Sequence, residues 1–207
     1  MKTRTSLDIR KLTYLAMLTA LVIVLQLAIA PLIGSLTGLS PALVLVPIML
    51  GVASMGIGGG AWLAFVFCFI VLFDPTTVPF LEFNPVLTVL LVFAKGVGSA
   101  VVSALIFKLV SKKNEILALA LASVCMPILN TGIFVVGCLL FFRELTGVGI
   151  YALFTSLNFV IELVINLTLV PAIHHLLSVS GAFGTKKPRT AKASAVDSSV
   201  DNPDEVE

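Results

Sequence analysis

A polar stripe within an apolar segment is the part of this sequence that could do chemistry. Asn158, Glu162 and Asn166 are spaced four residues apart in a run that is otherwise apolar as far as Val170. Residues at that spacing share one face of an α-helix, so the three side chains form a single stripe. An ionisable group in hydrocarbon costs about 2.5–3.5 kcal/mol even on insertion scales. The stripe therefore indicates binding of a solute, transfer of a proton or ion, or a clamp on a neighbouring helix.

Two more polar residues fall at the same depth on other predicted helices. Lys95 lies about 10 residues from the outer end of its apolar segment, and Asn130 and Glu162 about 12 from theirs. A rise of about 1.5 Å per residue places all three close to the bilayer midplane. Two interpretations stay open. Lys95 and Glu162 pair while the asparagines bond across helices, or the groups form the floor of a pocket open to the outside. Under the pocket interpretation, Asn158 is also a predicted binding residue. Asn166, one turn deeper, is instead predicted to hold helices together.

The composition predicts which elements position these side chains. Of the 207 residues, 58% are hydrophobic and 12% are charged, whereas soluble domains have about 25% charged residues. The chain is therefore predicted to be an all-α integral membrane protein. We expect the lipid bilayer as its surroundings and no nucleic-acid partner.

The fold class predicted is a bundle of six transmembrane helices. The apolar segments are residues 12–30, 41–57, 60–73, 86–110, 115–142 and 150–177, each near the length that crosses about 30 Å of hydrocarbon. The glycines at 56–60 favour two short helices joined by a tight turn over one long run. The predicted organisation is a basic N-terminus at 1–11, a transmembrane domain at 12–177 and a disordered tail at 178–207. No internal repeat is visible, which argues against an inverted-repeat transporter.

The basic residues predict the orientation. With six spans, all of them fall on one side of the membrane except Lys95 within a span and Arg143 outside. Basic residues near span ends mark the cytoplasmic side. Both termini are therefore predicted to be cytoplasmic, with outer loops at 31–40, 74–85 and 143–149.

The middle outer loop is aromatic, rich in proline and acidic. Residues 74–85 contain Phe80, Phe83 and Asn84. Loops over a rigid scaffold commonly carry binding groups, so this one could be a lid over an outward pocket, with Phe83 and Asn84 contacting the ligand. It could equally be a plain connector with phenylalanines at the membrane interface.

The sequence lacks the common motifs for ATP hydrolysis, metal-dependent proteolysis and serine hydrolase chemistry. No Gly-x-x-x-x-Gly-Lys-Ser/Thr phosphate loop occurs, so the chain is not expected to hydrolyse ATP by itself. His-Glu-x-x-His and Gly-x-Ser-x-Gly are also missing, and we expect no enzyme activity, cofactor or metal. Cys68, Cys125 and Cys138 lack metal-ligand spacing and are predicted to fill the core.

Several segments, in order along the chain, carry a resemblance to a known family. They are 11–20 (KLTYLAMLTA) with Ala-x-x-x-Ala at Ala16 and Ala20, 45–51 (LVPIMLG) with the following glycine-rich turn and Ala61-Trp62-Leu63, Lys95-Gly96, 129–134 (LNTGIF) and 158–171. Over residues 8–177 the sequence resembles the substrate-binding S components of energy-coupling factor (ECF) vitamin transporters. Small residues four apart are common in membrane helices, so the order of the segments and the missing ATPase motif carry more weight than that motif.

The resemblance implies a division of labour. An S component captures a water-soluble vitamin from outside in a pocket of its last three helices, then releases it inward. A transmembrane coupling subunit and two ATP-hydrolysing subunits drive the cycle in the bacterial cytoplasmic membrane. Ala16 and Ala20 match the motif that docks on the coupling subunit. A riboflavin-type ligand is favoured, with Phe80 and Phe83 packing on its ring, and pantothenate or folate are alternatives.

Two other hypotheses belong to different classes. One is a self-sufficient ion- or proton-coupled secondary transporter that uses Glu162 as its relay. The other is a structural membrane subunit whose buried polar residues only hold helices together.

Overall fold

The computed structural model describes the backbone of residues 2–32, 43–144 and 148–179, and the side chains of 9, 11–32, 43–144 and 159–175. Within these ranges the chain is helical and contains no strand, which confirms the predicted all-α class. The helices are α1 (Lys2–Val24, continued by a π-helical turn at Leu25–Ile29), α2 (Leu45–Met55), α3 (Ile57–Val71), α4 (Val78–Phe83), α5 (Pro85–Val110), α6 (Glu115–Phe141) and α7 (Val148–Val179).

Helix length and apolar composition mark a membrane protein. Lys11–Leu32, Pro85–Val110 and Glu115–Phe141 have 22, 26 and 27 residues, and about 20 apolar residues suffice to cross a bilayer. Leu45–Met55, Ile57–Val71 and Phe159–His175 are shorter apolar helical stretches. The outward surface is also apolar: Leu109, Ile116 and Leu140 are each more than two-thirds exposed. An extended apolar surface is typical of a membrane or protein contact, and helices of this length and composition indicate the membrane.

Glycines build a tight hairpin of α2 and α3 in the middle of the bundle. The helices are separated by Gly56 alone, whose φ of 72° and ψ of −152° suit a residue without a Cβ. Gly51 lies against Leu63 and Gly60 against Val52, so the two helices approach closely. The sequence predicted such a turn between residues 54 and 60. Every residue from Leu45 to Val52 is buried, which makes α2 the central helix.

The last three long helices form the wall that carries the polar residues. α6 packs between α5 and α7. Gly137 of α6 lies against Leu91 of α5, where a larger side chain would collide. Asn114 caps α6 by accepting hydrogen bonds from the backbone N–H groups of Ile116 and Leu117 at 3.0 and 3.2 Å. At the same end of α6, His174 of α7 lies 3.6 Å from the Glu115 carboxylate.

Several element boundaries differ from the predicted ones, and three of the differences change the predicted organisation. α1 begins at Lys2, within the stretch predicted as a separate basic N-terminus. The middle outer loop at 74–85 is not irregular throughout, because it contains α4, started by Pro79 in its first turn. The last helix continues to Val179. Most of the first outer loop, residues 145–147 of the third and the tail beyond 179 lie outside the described residues.

Candidate functional site

Glu162 is buried between two helices. Its side chain is 6% exposed, and the Thr131 hydroxyl of α6 donates a hydrogen bond to its Oε2 at 3.2 Å. This bond joins α6 to α7 at the predicted depth of the polar stripe. Thr131 was not among the predicted site residues, and its position beside Asn130 was the only sign of it in the sequence.

Two buried amides lie near this hydrogen bond in the sequence of α6 and α7. Asn130 precedes Thr131 in α6 and is 5% exposed, and its Oδ1 has no hydrogen-bond partner among the described residues. Asn166 is fully buried one turn beyond Glu162, and its Nδ2 donates to the Glu162 backbone oxygen at 2.9 Å. That bond lies within one helix, so it does not join helices as predicted. The Asn166 Oδ1 also lacks a partner in the described part of the chain.

Lys95 contacts an aromatic ring. Its side chain is half-buried, and Nζ lies 4.2 Å from the centroid of the Phe134 ring of α6, a cation–π distance. Among the described side chains no carboxylate is within 4.0 Å of this ammonium, although Glu162 and Asp74 attract it electrostatically from further away. The direct Lys95–Glu162 ion pair of the structural interpretation is therefore not formed. Phe134 is a contact that the sequence did not indicate.

Helix α4 packs on α5 and α6, two of the three helices of this wall. Phe80 is buried, with its ring centroid 5.9 Å from that of Phe134 and 5.2 Å from that of Phe142. The Thr88 hydroxyl of α5 donates to the Phe80 backbone oxygen at 2.7 Å and fixes the helix in place. Phe80, Phe134 and the Lys95 ammonium thus form a series of contacts from α4 through α6 to α5. The loop predicted as a lid packs through α4 on two of the helices that carry the site, and its role as a lid stays a prediction.

The remaining predicted ligand contacts occupy other positions. Phe83 is 48% exposed, and its ring lies 5.7 Å from that of Phe142 at the outer surface of α4. Asn84 caps α5, with its Oδ1 accepting from the Leu87 N–H at 3.1 Å. That carbonyl is therefore engaged in starting the helix. Asn158 lies in α7, but its side chain is outside the described residues.

A second polar contact lies where the π-helical turn ends α1. Gln26 is buried in this turn, and its side-chain amide nitrogen, Nε2, donates to Asp74 Oδ2 at 3.4 Å. Asp74 Oδ1 in turn accepts from the Thr76 N–H and hydroxyl at 2.9 and 2.7 Å. π-helical turns are common at functional sites. Here the turn ties α1 to the segment that leads into α4.

The two alanines predicted for docking are on the exposed surface of α1. Ala16 and Ala20 are both exposed. On the neighbouring face, the Trp62 indole of α3 donates to the Thr19 hydroxyl at 3.3 Å. The alanines thus form a smooth strip beside the contact between α1 and α3.

The polar groups of the wall could bind a polar or charged solute. The described residues hold no group of three or more His, Cys, Asp or Glu that could bind a metal ion. Glu162, Asn130 and Asn166 present acceptor oxygens, and Lys95 presents a cation beside aromatic rings.

Two apolar grooves lie elsewhere. A groove of about 690 Å³ on α5 is lined by residues such as Val86, Leu90 and Phe93. Another of about 390 Å³ lies between α1, α2 and α7, lined by Leu18, Val46 and Leu169 among others. Neither includes the polar residues of the wall, and their composition fits lipid chains.

Comparison of this chain with protein-family models, with curated proteins and with solved structures finds no match.

Proposed function

We propose that this chain is the substrate-capture subunit of an ECF-type importer. It binds a water-soluble vitamin or a related small molecule from outside, at the wall formed by α5, α6 and α7. A transmembrane coupling subunit and two ATP-hydrolysing subunits then drive delivery to the inside. The proposal rests on the resemblance of the sequence segments and on the polar residues of the wall. It places the chain in the bacterial cytoplasmic membrane as a six-span bundle with both termini inside.

The observation that carries the proposal is that the polar groups of the wall are only partly satisfied by the described residues. Buried polar side chains in folded proteins are nearly always hydrogen-bonded. Here the Asn130 oxygen lacks a partner among the described residues, and Lys95 contacts a ring in place of a carboxylate. Residues that served only to hold helices together would be expected to pair with each other. Groups left with unused capacity at one level are what a solute-binding wall requires.

The exposed alanines support the partner assignment. Ala16 and Ala20 form a strip of two small side chains one turn apart on the exposed surface of α1, next to the exposed Met17. Small residues let two membrane helices approach closely, and van der Waals contacts then hold them. This strip is the surface that we assign to the coupling subunit.

Native mass spectrometry of protein purified from cells grown in rich medium tests capture directly. We expect a bound small molecule whose mass identifies it, and we expect that compound to raise the melting temperature of ligand-free protein. If nothing co-purifies and a panel of vitamins leaves the melting temperature unchanged, the proposal is wrong.

Lys95→Met tests the wall itself, with Lys108→Met as the matched control on the exposed cytoplasmic end of the same helix. Loss of a charged hydrogen bond to ligand is worth about 1.5–3 kcal/mol. We therefore expect Lys95→Met to weaken ligand binding by about that amount in isothermal titration, while Lys108→Met binds normally. A Lys95→Met protein with lower stability and unchanged affinity would instead indicate a structural role.

A secondary transporter that uses Glu162 as its relay is the second candidate. The observation in its favour is a carboxylate buried at the predicted midplane with a hydroxyl donor at 3.2 Å. Such residues commonly mark proton or ion pathways. Vesicles containing this chain alone separate the two candidates. A carrier accumulates solute and loses this activity with an uncoupler, whereas a capture subunit binds solute and accumulates it only with its ATPase partners.

A further inference from the structure

Lys95 lies on the inward face of α5, a helix long and apolar enough to cross a membrane. Thr88, Val92 and Ser99, which are seven, three and four residues away, share this face and are all buried. Leu90, five residues away on the far side of the helix, is exposed. A lysine within a membrane helix costs free energy unless its charge is balanced. The groups that contact Lys95 therefore indicate its role.

The Phe134 ring is the contact that the described residues provide for the Lys95 ammonium. Nζ lies 4.2 Å from the centroid of this ring. In the same part of the chain no carboxylate lies within 4.0 Å of Nζ, and no acceptor takes a hydrogen bond from its N–H donors. A ring face attracts a cation through its quadrupole but carries no net charge. The ammonium therefore has no anion in contact with it.

The same ammonium remains accessible to a small group. Nζ has no acceptor among the described residues, yet it is not one of their fully buried polar atoms that lack a partner. The Lys95 side chain as a whole is half-buried. Glu162, the acid at the same predicted depth, lies beyond ion-pair distance of Nζ and accepts a hydrogen bond from Thr131. A small anion could therefore reach Lys95 and contact it directly.

We propose that Lys95, beside the Phe134 ring, binds an anionic group of the captured solute, either a carboxylate or a phosphate. This proposal rests on the proposed function and names its substrate class. An ammonium donates a stronger hydrogen bond to an anion than to a neutral acceptor, and the ring positions the ammonium without using its N–H donors. Solutes without a negative charge are therefore poor ligands, which reverses the preference for riboflavin that the sequence resemblance implied.

A lipid headgroup has the same phosphate chemistry, but the depth of Lys95 argues against it. Ten residues separate Lys95 from Pro85 at the nearer end of α5, which is about 15 Å at the rise of an α-helix. The hydrocarbon core is about 30 Å thick, so this depth is close to its midplane. Headgroups lie outside that core, and a solute held between the helices is the source that fits.

The test compares solutes that differ in their charged group, bound to the purified full-length chain. The pairs are nicotinate and nicotinamide, pantothenate and pantothenol, biotin and biotinamide, and riboflavin 5′-phosphate and riboflavin. In at least one pair we expect the charged member to bind about 10- to 100-fold more tightly, the range for a charged hydrogen bond. The charge of any compound that co-purifies with the chain is determined as well, and we expect it to be negative.

Two results separate this subsite from the capture function. Equal affinities within every pair that binds, binding confined to neutral members, or a neutral co-purified compound would overturn the subsite and leave capture intact. Failure of every probe, with no co-purified compound, would overturn both.

Lys95→Met assigns the preference to this side chain. Affinity for the charged member should fall about 10- to 100-fold, while affinity for its neutral partner should stay within about twofold. Lys108→Met, on the exposed last turn of the same helix, should keep the preference. Equal losses for both members of a pair would show that Lys95 only maintains the structure, and would overturn the proposal. If Lys95→Met does not fold, the paired comparison on the unchanged chain still gives the answer.

Chloride is another source of negative charge, and a further arm distinguishes it. The melting temperature of ligand-free protein is measured at increasing sodium chloride concentration for the unchanged and Lys95→Met proteins. Stabilisation confined to the unchanged protein, with no preference in any pair, would assign the site to an inorganic anion and overturn the solute subsite. A preference for the charged member supports the solute, whether or not chloride also competes with it.

Discussion

At the scale of single residues, the environment of Lys95 depends on the glycine that follows it. Gly96 of α5 faces α3, and a Cβ at this position would collide with the Cys68 sulfur. The Cys68 thiol itself donates to the Val92 backbone oxygen at 3.3 Å. The small residue therefore allows α3 and α5 to approach and holds the turn of α5 that carries Lys95.

Gly96→Ala should destabilise the protein by about 1–3 kcal/mol, the range for overpacking a well-packed core. Gly98→Ala is the matched control, since its Cβ would lie 3.8 Å from Ile133, an ordinary contact. Thermal unfolding in detergent measures both. Adding Cys68→Ala to Gly96→Ala should recover most of the loss because the colliding sulfur is gone. Equal stability of the two glycine variants would show that the contact is not limiting.

At the scale of elements, the α2–α3 hairpin depends on one backbone conformation. Gly56 alone has a positive φ among the described glycines, and it ends α2 and begins α3. This φ and ψ combination is accessible almost only to glycine. The buried central helix therefore depends on a residue that makes no side-chain contact.

Gly56→Ala should lower the free energy of unfolding by about 1–3 kcal/mol through backbone strain. Gly58→Ala lies two residues away in an equally open position without positive φ, so it should be neutral or slightly stabilising. Chemical denaturation of both variants checks this. A Gly58→Ala loss as large as that of Gly56→Ala would rule out strain as the cause.

The start of α5 is a second element with a testable role. Asn84 accepts the Leu87 N–H and so caps the helix that carries Lys95. Asn84→Ala should cost about 0.5–2 kcal/mol, whereas Asn84→Asp keeps the acceptor and should be close to neutral. Thermal unfolding compares them. If ligand affinity falls in Asn84→Asp although stability is kept, Asn84 also contacts the ligand, as the sequence predicted.

At the scale of the whole molecule, the proposed topology places the two ends of α6 on opposite sides of the membrane. Glu144 follows the outer end, and Lys112 precedes the inner end; both are exposed. In a chain whose three cysteines are replaced by alanine, Glu144→Cys should react with a membrane-impermeant thiol reagent in intact cells. Lys112→Cys should react only after permeabilisation. Reaction of both without permeabilisation would contradict the six-span topology with cytoplasmic termini.

Much of the fold follows from local patterns in the sequence. Long apolar runs predict membrane helices because each residue must be compatible with hydrocarbon. The glycines at 56–60 indicate the break that occurs at Gly56, and a spacing of four places Glu162 and Asn166 on one helical face. These features depend only on residues near one another in the chain.

Which residues meet between helices was decided by tertiary structure. Helices that are apolar on nearly every face give little sign of which face points inwards. The predicted depth therefore put Lys95 level with Glu162 but did not show how either helix is rotated about its axis. Packing turns Lys95 to Phe134 and Thr131 to Glu162, and it folds Phe80 onto Phe134. The sequence thus predicts the depth of the polar groups from local spacing alone. Their partners depend on the rotation and register of α5, α6 and α7, which are set by close contacts such as Gly137 against Leu91.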